Sequence, residues 1–308
     1  DVFRAVRRDP TLGDYEGLGL AVQAYQRRAT DVIAFVTRLA RDVGRRIPVR
    51  LVKGAYWDTE IKRGQEQGLE SYPVFTRKAH TDVSYLACAR QLIAAGEALY
   101  PQFATHNAHT LACILNFAGE RTDLEFQRLH GMGEELYEEV IDPERHGRPC
   151  RVYAPVGSHE DLLPYLVRRL LENGANTSFV HQIADPEVPL EALVADPLAA
   201  LPEPYAPDPR IPLPRHLYPD RLNSIGLDLS RRDVLESVQN RIASDQPLVV
   251  TPQNSRQDLA SAIARAAAAF ESWSRTPAAK RALCLERAAD ALEERMLELV
   301  SLIVREGR

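Results

Sequence analysis

Two adjacent arginines, Arg168 and Arg169, lie in a predicted helix that follows an apolar, strand-like segment. Each guanidinium group presents a planar set of donors that can hold a carboxylate through two parallel hydrogen bonds. Tyr165 precedes the pair and Glu172 follows it at helical spacing, so one helix face carries a ring, a cation and a carboxylate. This spacing fits an anion-binding site and equally fits a solvated Arg–Glu pair on an amphipathic helix.

Short apolar segments alternate with amphipathic helices between residues 17 and 176. Helices are predicted at Asp31–Val43, Asp82–Ala95 and Ala108–Phe117, which indicates a parallel sheet with helices outside it. The predicted strands are Leu18–Tyr25, Val49–Trp57, Pro101–Asn107, Leu124–Gly131 and Arg151–Gly157.

Polar residues cluster at the ends of these segments, and in a parallel barrel those ends share the face that carries the chemistry. The dinucleotide fingerprint G-x-G-x-x-G is absent from the sequence, which favours a barrel over a doubly wound sheet. The predicted fold class is therefore α/β, a partial (β/α)8 TIM-like barrel with about five strand–helix units. We expect its first three strands to precede Asp1.

Ten prolines between Pro186 and Pro219 predict an extended linker with one short helix near Leu190–Val194. Helices are predicted after the linker at Ser230–Ile242, from Ser255 to Phe270, and from Thr276-Pro277 onward with an apolar stripe from Leu285 to Ile303. The predicted domains are a barrel part at 1–185, a Pro-rich linker at 186–229 and a helical segment at 230–308.

Composition excludes several classes of protein. The net charge of −5 argues against nucleic-acid binding. Four cysteines without a C-x-x-C motif indicate buried thiols in a reducing, cytoplasmic compartment. No apolar run is long enough to span a bilayer.

Individual polar residues leave alternatives open. Lys53 follows a strand and could form a Schiff base, contact a cofactor or be solvated. Thr76-Arg77-Lys78 lies in a predicted long loop, where its two cations and its hydroxyl could bind a phosphate or could equally be a cluster of surface charges. His106 lacks the neighbours of a zinc ligand, so no metal is predicted, and we expect it to hydrogen-bond a ligand.

Long segments of the chain resemble the proline dehydrogenase domain of bacterial proline utilization A (PutA) proteins. The resemblance covers roughly residues 1–220, while Ala267–Trp273 and Thr276–Glu293 resemble the first helices of the glutamate semialdehyde dehydrogenase half of those proteins. The segments that carry it include Gln23–Gln26, Arg50–Asp58, Phe75–Lys78, Phe103–Asn107, Leu129–Gly133 and Tyr165–Phe179.

The resemblance implies a flavoenzyme that oxidises L-proline to pyrroline-5-carboxylate by hydride transfer to FAD, within a bifunctional protein that then makes glutamate with NAD at a site outside this chain. It implies that Arg168 and Arg169 hold the proline carboxylate, that Glu172 holds the arginines, and that Tyr56, Leu129, Tyr153 and Tyr165 wall the ring. The residues implied to surround FAD are Gln23, Arg50, Val52, Lys53, Gly54, Thr76, Arg77, Lys78, Thr105, His106, Asn107 and Gln127.

The resemblance also implies a homo-oligomer that is cytoplasmic or peripheral to the inner membrane, with a quinone as electron acceptor. Two other hypotheses remain: a non-catalytic piece for binding or assembly, and a barrel lyase that uses Lys53 as a Schiff base. A flavin absorbance band that persists through gel filtration supports the flavoenzyme, whereas borohydride trapping of a carbonyl substrate supports the lyase.

Overall fold

The computed structural model describes residues 2–174, 179–201, 207–244 and 255–307. The chain divides into two compact units, which are described separately. The first comprises Asp1–Gly64 and Ser71–Pro212, and the second comprises Gln65–Glu70 and Leu213–Arg308.

The first unit contains a parallel sheet whose strand order follows the chain. Leu51 pairs with Val22 on one side and with Phe103 on the other, and Phe126 continues the row next to Phe103. Sequential order without a reversal is the pattern of a barrel rather than of a doubly wound sheet. The predicted fold class, with about five strand–helix units, is confirmed. The strands are β1 (Leu20–Gln23), β2 (Ile47–Val52), β3 (Leu99–Ala104), β4 (Glu125–Leu129) and β5 (Cys150–Tyr153).

Helices alternate with these strands as the sequence predicts. Two predictions are wrong. Lys78 does not lie in a long loop but begins a helix, because Arg77 is the extended N-cap residue. The predicted strand Val49–Trp57 ends at Val52, and Trp57 is the first residue of a helix. The helices are α1 (Val2–Arg7), α2 (Ala29–Val43), α3 (Trp57–Glu66), α4 (Lys78–Ala94), α5 (Ala108–Ala118), α6 (Glu134–Ile141), α7 (His159–Gly174), α8 (Phe179–Ala184) and α9 (Leu190–Leu193). Helix α9 lies where the linker was expected to contain a short helix.

The apolar core lies between the sheet and its helices. Alternate residues of β2, namely Ile47, Val49 and Leu51, are completely buried in this core, whereas the residues between them are half-buried on the opposite face. Phe103 and Phe126 contact across β3 and β4 with ring centroids 6.0 Å apart. The opposite face of the sheet is therefore left to polar side chains, and it is this face that leads to the candidate site.

The second unit contains helices α10 (Arg232–Ala243), α11 (Arg256–Ser274), α12 (Ala278–Glu294) and α13 (Met296–Glu306). The predicted start of α11 is confirmed by a capping box, in which Ser255 and Asp258 exchange hydrogen bonds. Two predictions are wrong in detail. Pro277 is the N-cap of α12 and not its first helical residue, and the continuous stripe is split at Arg295, whose backbone leaves helical geometry.

All four cysteines lie among the described residues and are free thiols. The expectation that they are buried holds for Cys88 only, because Cys113 and Cys150 are half-buried and Cys284 is exposed on α12. Within the described ranges, no helix has the length and apolar composition needed to cross a membrane.

Candidate active site

Several of the predicted site residues lie at the carboxyl ends of the strands. Gln23 and Tyr153 are the last residues of β1 and β5, and Val52 is the last residue of β2. Gly54 follows β2 with a φ of 136°, and a Cβ there would lie 2.4 Å from the ring of Tyr25, so this turn requires glycine. Parallel pairing brings these strand ends to the same edge of the sheet.

Arginine and tyrosine side chains from three different elements meet at this edge. The guanidinium of Arg168 lies 5.4 Å from the ring centre of Tyr56, and that of Arg169 lies 5.3 Å from the ring centre of Tyr165. The rings of Tyr165 and Tyr153 have centroids 6.1 Å apart. Arg50, on β2, extends the group, with its guanidinium 5.8 Å from the Tyr153 ring centre. We call Arg50, Tyr56, Tyr153, Tyr165, Arg168 and Arg169 the arginine–tyrosine cluster.

The cluster combines planar donors with aromatic walls. Cation–π contacts hold a guanidinium over a ring without using its in-plane N–H donors. Arg168 and Arg169 are half-buried, so these donors are only partly shielded from solvent. Such an arrangement can bind a small anionic molecule with an apolar body. Glu172 lies in α7, but its side chain is outside the described residues, so its role in holding the arginines stays a prediction.

His106 connects the ends of β3 and β4. The backbone N–H of Leu129 donates to Nε2 of His106 over 3.1 Å, which leaves the ring proton on Nδ1. Burial, together with the charges of Arg169 and Arg128, lowers the pKa of His106 to about 4. The ring is therefore neutral at physiological pH and presents one N–H donor. Gly133 approaches it closely, because a Cβ there would lie 3.1 Å from the ring.

Thr105 and Asn107 perform local structural roles. The hydroxyl of Thr105 accepts the N–H of Asn107 over 3.1 Å, and the side chain of Asn107 caps α5 by accepting from the N–H of Thr110. These bonds fix the turn that carries His106. The predicted contact of Thr105 and Asn107 with FAD stays a prediction.

Two lysines share one carboxylate beside the strand ends. Asp82 on α4 accepts from Nζ of Lys78 over 2.6 Å through Oδ2, and its other oxygen accepts from Lys53. Burial would raise the pKa of Asp82, but the charges of Lys53 and Lys78 outweigh it and lower the pKa. Burial lowers the pKa of Lys53 despite the opposing charge of Asp82. Asp82 was missed by sequence reasoning, although the Lys78–Asp82 spacing of i,i+4 on a helix was a usable signal.

Thr76 and Arg77 contact the segment at residues 207–208. The N–H of Asp208 donates to Oγ1 of Thr76 over 2.9 Å, and Nη2 of Arg77 donates to the carbonyl of Pro207 over 3.2 Å. Of the three predicted residues Thr76, Arg77 and Lys78, it is thus Lys78 that shares Asp82 with Lys53, and we call these two lysines the lysine pair.

A buried carboxylate lies below the strand ends on the polar face of the sheet. Glu125 on β4 accepts hydrogen bonds from Gln102, Gln127, Arg151 and Tyr100. Gln127, a predicted FAD residue, lies inside β4 and not at its end, and the residue is only 4% exposed. With Arg50, Gln102 and Arg151 it lines a cleft of about 670 Å³. Sequence reasoning missed Glu125.

No cluster of three or more His, Cys, Asp and Glu side chains in the described ranges is arranged to hold a metal ion.

A parallel strand–helix sheet with its polar cluster at the carboxyl ends of the strands defines an α/β protein of the barrel class. Comparison with known proteins narrows this class. Residues 1–182 match the proline dehydrogenase family, and residues 232–308 match the aldehyde dehydrogenase family. The chain therefore belongs to the proline dehydrogenase family.

The relatives span both matched regions. The chain is 46% identical over 356 aligned residues to the bifunctional protein PutA of Salmonella typhimurium, and 46% identical over 342 residues to that of Rhizobium meliloti. All of this chain is covered in both alignments, but only 27% and 28% of the relatives' lengths. A crystal structure of a bifunctional proline utilization A protein superposes with a TM-score of 0.84 at 52% identity, covering 100% of this chain and 31% of that one.

Proposed function

We propose that this chain is part of a proline dehydrogenase that oxidises L-proline to pyrroline-5-carboxylate with FAD, in a bifunctional protein whose other half is an NAD-dependent glutamate semialdehyde dehydrogenase. The proposed organisation is a barrel part at 1–185, a linker at 186–229 and the first helices of the second enzyme at 230–308. The observation that carries the proposal is the arginine–tyrosine cluster at the carboxyl ends of the strands.

The cluster fits the two chemically distinct parts of proline. In the proposal, the in-plane donors of Arg168 and Arg169 bind the carboxylate, which stays charged throughout the reaction. Tyr56, Tyr153, Tyr165 and Leu129 lie against the apolar ring. The protein contributes orientation in this way, while bound FAD supplies the hydride acceptor.

The remaining donors fit FAD. The lysine pair held by Asp82 offers two ammonium groups for phosphate oxygens, because only one negative charge is shared between them. Arg50, the N–H of neutral His106 and the amide of Gln127 offer donors and an acceptor for the polar edge of a flavin ring. In the proposed arrangement, Gln23, Val52, Gly54, Thr76, Arg77, Thr105 and Asn107 complete the cofactor site.

Oxidation removes a hydride from the ring carbon that flanks the nitrogen on the side away from the carboxylate, and a proton from that nitrogen, which leaves the C=N bond of the product. We call the paired donors of Arg168 and Arg169 the anion clamp. By holding the carboxylate, the clamp fixes this carbon relative to the hydride acceptor. The self-association of the protein and its use of a membrane quinone, with a cytoplasmic or peripheral location, are part of the same proposal.

The test uses the purified full-length protein. A flavin absorbance band should co-elute with the protein in gel filtration, and it should bleach on anaerobic addition of L-proline but not of D-proline. An unbleached flavin would overturn the proposed substrate. If the protein is colourless and borohydride traps a carbonyl compound on it covalently, by reducing a Schiff base, the result would instead support a Schiff-base lyase at Lys53. A protein with neither property would be a binding or assembly piece.

A further inference from the structure

Glu125 is a carboxylate buried at 3% exposure on the polar face of β4. Burial of such a group is costly unless hydrogen bonds replace its water. Oε1 accepts from Nε2 of Gln102 over 2.9 Å and from Nε2 of Gln127 over 2.6 Å. Oε2 accepts from Nη2 of Arg151 over 2.9 Å and from the hydroxyl of Tyr100 over 3.3 Å. The four acceptor positions of the carboxylate are therefore filled.

This arrangement determines which way the amide of Gln127 faces. A side-chain amide has a donor end and an acceptor end of nearly the same shape. If the amide of Gln127 were flipped, its oxygen would lie against Oε1 of Glu125, and two acceptors would repel each other. Glu125 thus holds Nε2 and leaves Oε1 of Gln127 as the acceptor available to a ligand.

The register places Gln127 closer to the proposed flavin than Glu125. Gln127 pairs with Ala104, the last residue of β3, whereas Glu125 pairs with Gln102 two residues earlier. Two residues after Gln127, the N–H of Leu129 bonds to His106 at the carboxyl edge. Glu125 therefore lies one layer below Gln127 and acts on the site through it.

We propose that Glu125 is a positioning residue that fixes the amide of Gln127 so that its Oε1 accepts a hydrogen bond from the imide N–H of the flavin ring. The inference rests on the proposed use of FAD. The imide N–H at ring position N3 is the ring N–H of an oxidised flavin and needs an acceptor. An amide held with its oxygen outward meets that need without reorganisation.

The test measures binding of FAD, and of FAD methylated at ring position N3, to the full-length apoprotein. The wild type should prefer FAD over the methylated analogue. Glu125→Leu, which removes the acceptor that holds Gln127, should weaken FAD binding about 10-fold, as expected for one lost hydrogen bond near 1.4 kcal/mol. It should also reduce the preference over the analogue. A merely structural role would weaken both ligands equally.

Two further variants connect the effect to Gln127. Glu125→Leu combined with Gln127→Ala should bind FAD no more weakly than Gln127→Ala alone, because both changes act on the same bond to the flavin. Gln102→Leu is the matched control: it removes another donor to Glu125 but keeps the Glu125–Gln127 bond, so the preference should be unchanged. Glu125→Asp, which keeps the charge and shortens the reach, replaces Glu125→Leu if that variant does not fold.

An unchanged preference in the Glu125 variants would overturn the inference, and so would an equal loss in Gln102→Leu. Wild-type protein that binds no FAD would overturn the proposed function itself, and this outcome is seen before any variant is made.

Discussion

Replacement of Arg168 by methionine in the full-length protein should raise the KM for L-proline strongly. Methionine keeps the unbranched apolar stem of the side chain but lacks the guanidinium group and cannot donate hydrogen bonds. Arg168 lies over the ring of Tyr56 at 5.4 Å, so its donors are positioned by a contact that leaves them available. Arg169→Met should act in the same direction, because Arg169 is held over Tyr165 in the same way.

The size of the effect follows from the bonds that are lost. Hydrogen bonds to a charged group contribute about 1.5–3 kcal/mol. At about 1.4 kcal/mol per factor of ten, KM should rise roughly 10- to 150-fold. The carboxylate is charged in the ground state and in the transition state alike, so most of the loss should appear in KM. A smaller fall in kcat is expected where the substrate is misaligned.

Steady-state kinetics with flavin content measured in each preparation tests this prediction. Arg168→Lys should restore little, because an ammonium group cannot reproduce the two parallel bonds of a guanidinium. Arg4→Met is the matched control, since Arg4 is exposed on α1 and lies over the ring of Phe35 at 5.5 Å. It removes a cation–π contact of the same kind away from the strand ends.

A KM for proline within twofold of wild type in both Arg168→Met and Arg169→Met would refute the anion clamp. The alternative of a solvated Arg–Glu pair on α7 would then explain the two arginines. Equal losses in Arg4→Met would show that the kinetic effect comes from lowered stability and not from the clamp.

Further predictions concern the cofactor edge, pH and the core. Asp82→Asn should weaken FAD binding several-fold in titration of the apoprotein, because Lys53 loses the carboxylate that holds it in place and opposes the lowering of its pKa, whereas Asp58→Asn at an exposed position of α3 should not. The pKa of His106 is lowered to about 4, so the unfolded state takes up its proton first as pH falls from 6.5. Stability should therefore decline towards pH 4 by up to about 3 kcal/mol, and His106→Gln should flatten that decline in thermal unfolding. Phe126→Ala should cost about 3–5 kcal/mol of unfolding free energy, with Phe126→Leu costing less, and equal melting points would contradict this.

The parts of the fold that depend on local chemistry could be predicted from the sequence. Ser255 and Asp258 are three residues apart, and their reciprocal hydrogen bonds need no distant partner. The apolar strand segments likewise carry their own pattern of burial. The break at Arg295 was missed because the apolar spacing continues across it, and periodicity alone cannot show where a backbone leaves helical geometry.

Asp82 has a local partner in Lys78 and Glu125 has one in Gln127, but the other contacts of these two carboxylates could not be predicted, because the partners are distant in sequence. Lys53 and Asp82 are 29 residues apart, and Glu125 receives donors from residues 23 and 26 positions away. Only the strand register and the packing of α4 bring these groups together. Cations and aromatic rings at strand ends are visible in a sequence, but the carboxylates that orient them become visible only in the folded chain.

The electrostatics of the strand-end edge favour occupation by anions. Arg50, Arg168 and Arg169 lie within one cluster, and the two lysines beside it share the carboxylate of Asp82. The neutral ring of His106 adds no further cation, because burial and the nearby arginines keep its pKa low. Like charges repel, and the repulsion is stronger where water is partly excluded. A bound carboxylate and a bound phosphate group would each relieve part of this repulsion, so binding of substrate and of cofactor should both stabilise this edge of the sheet.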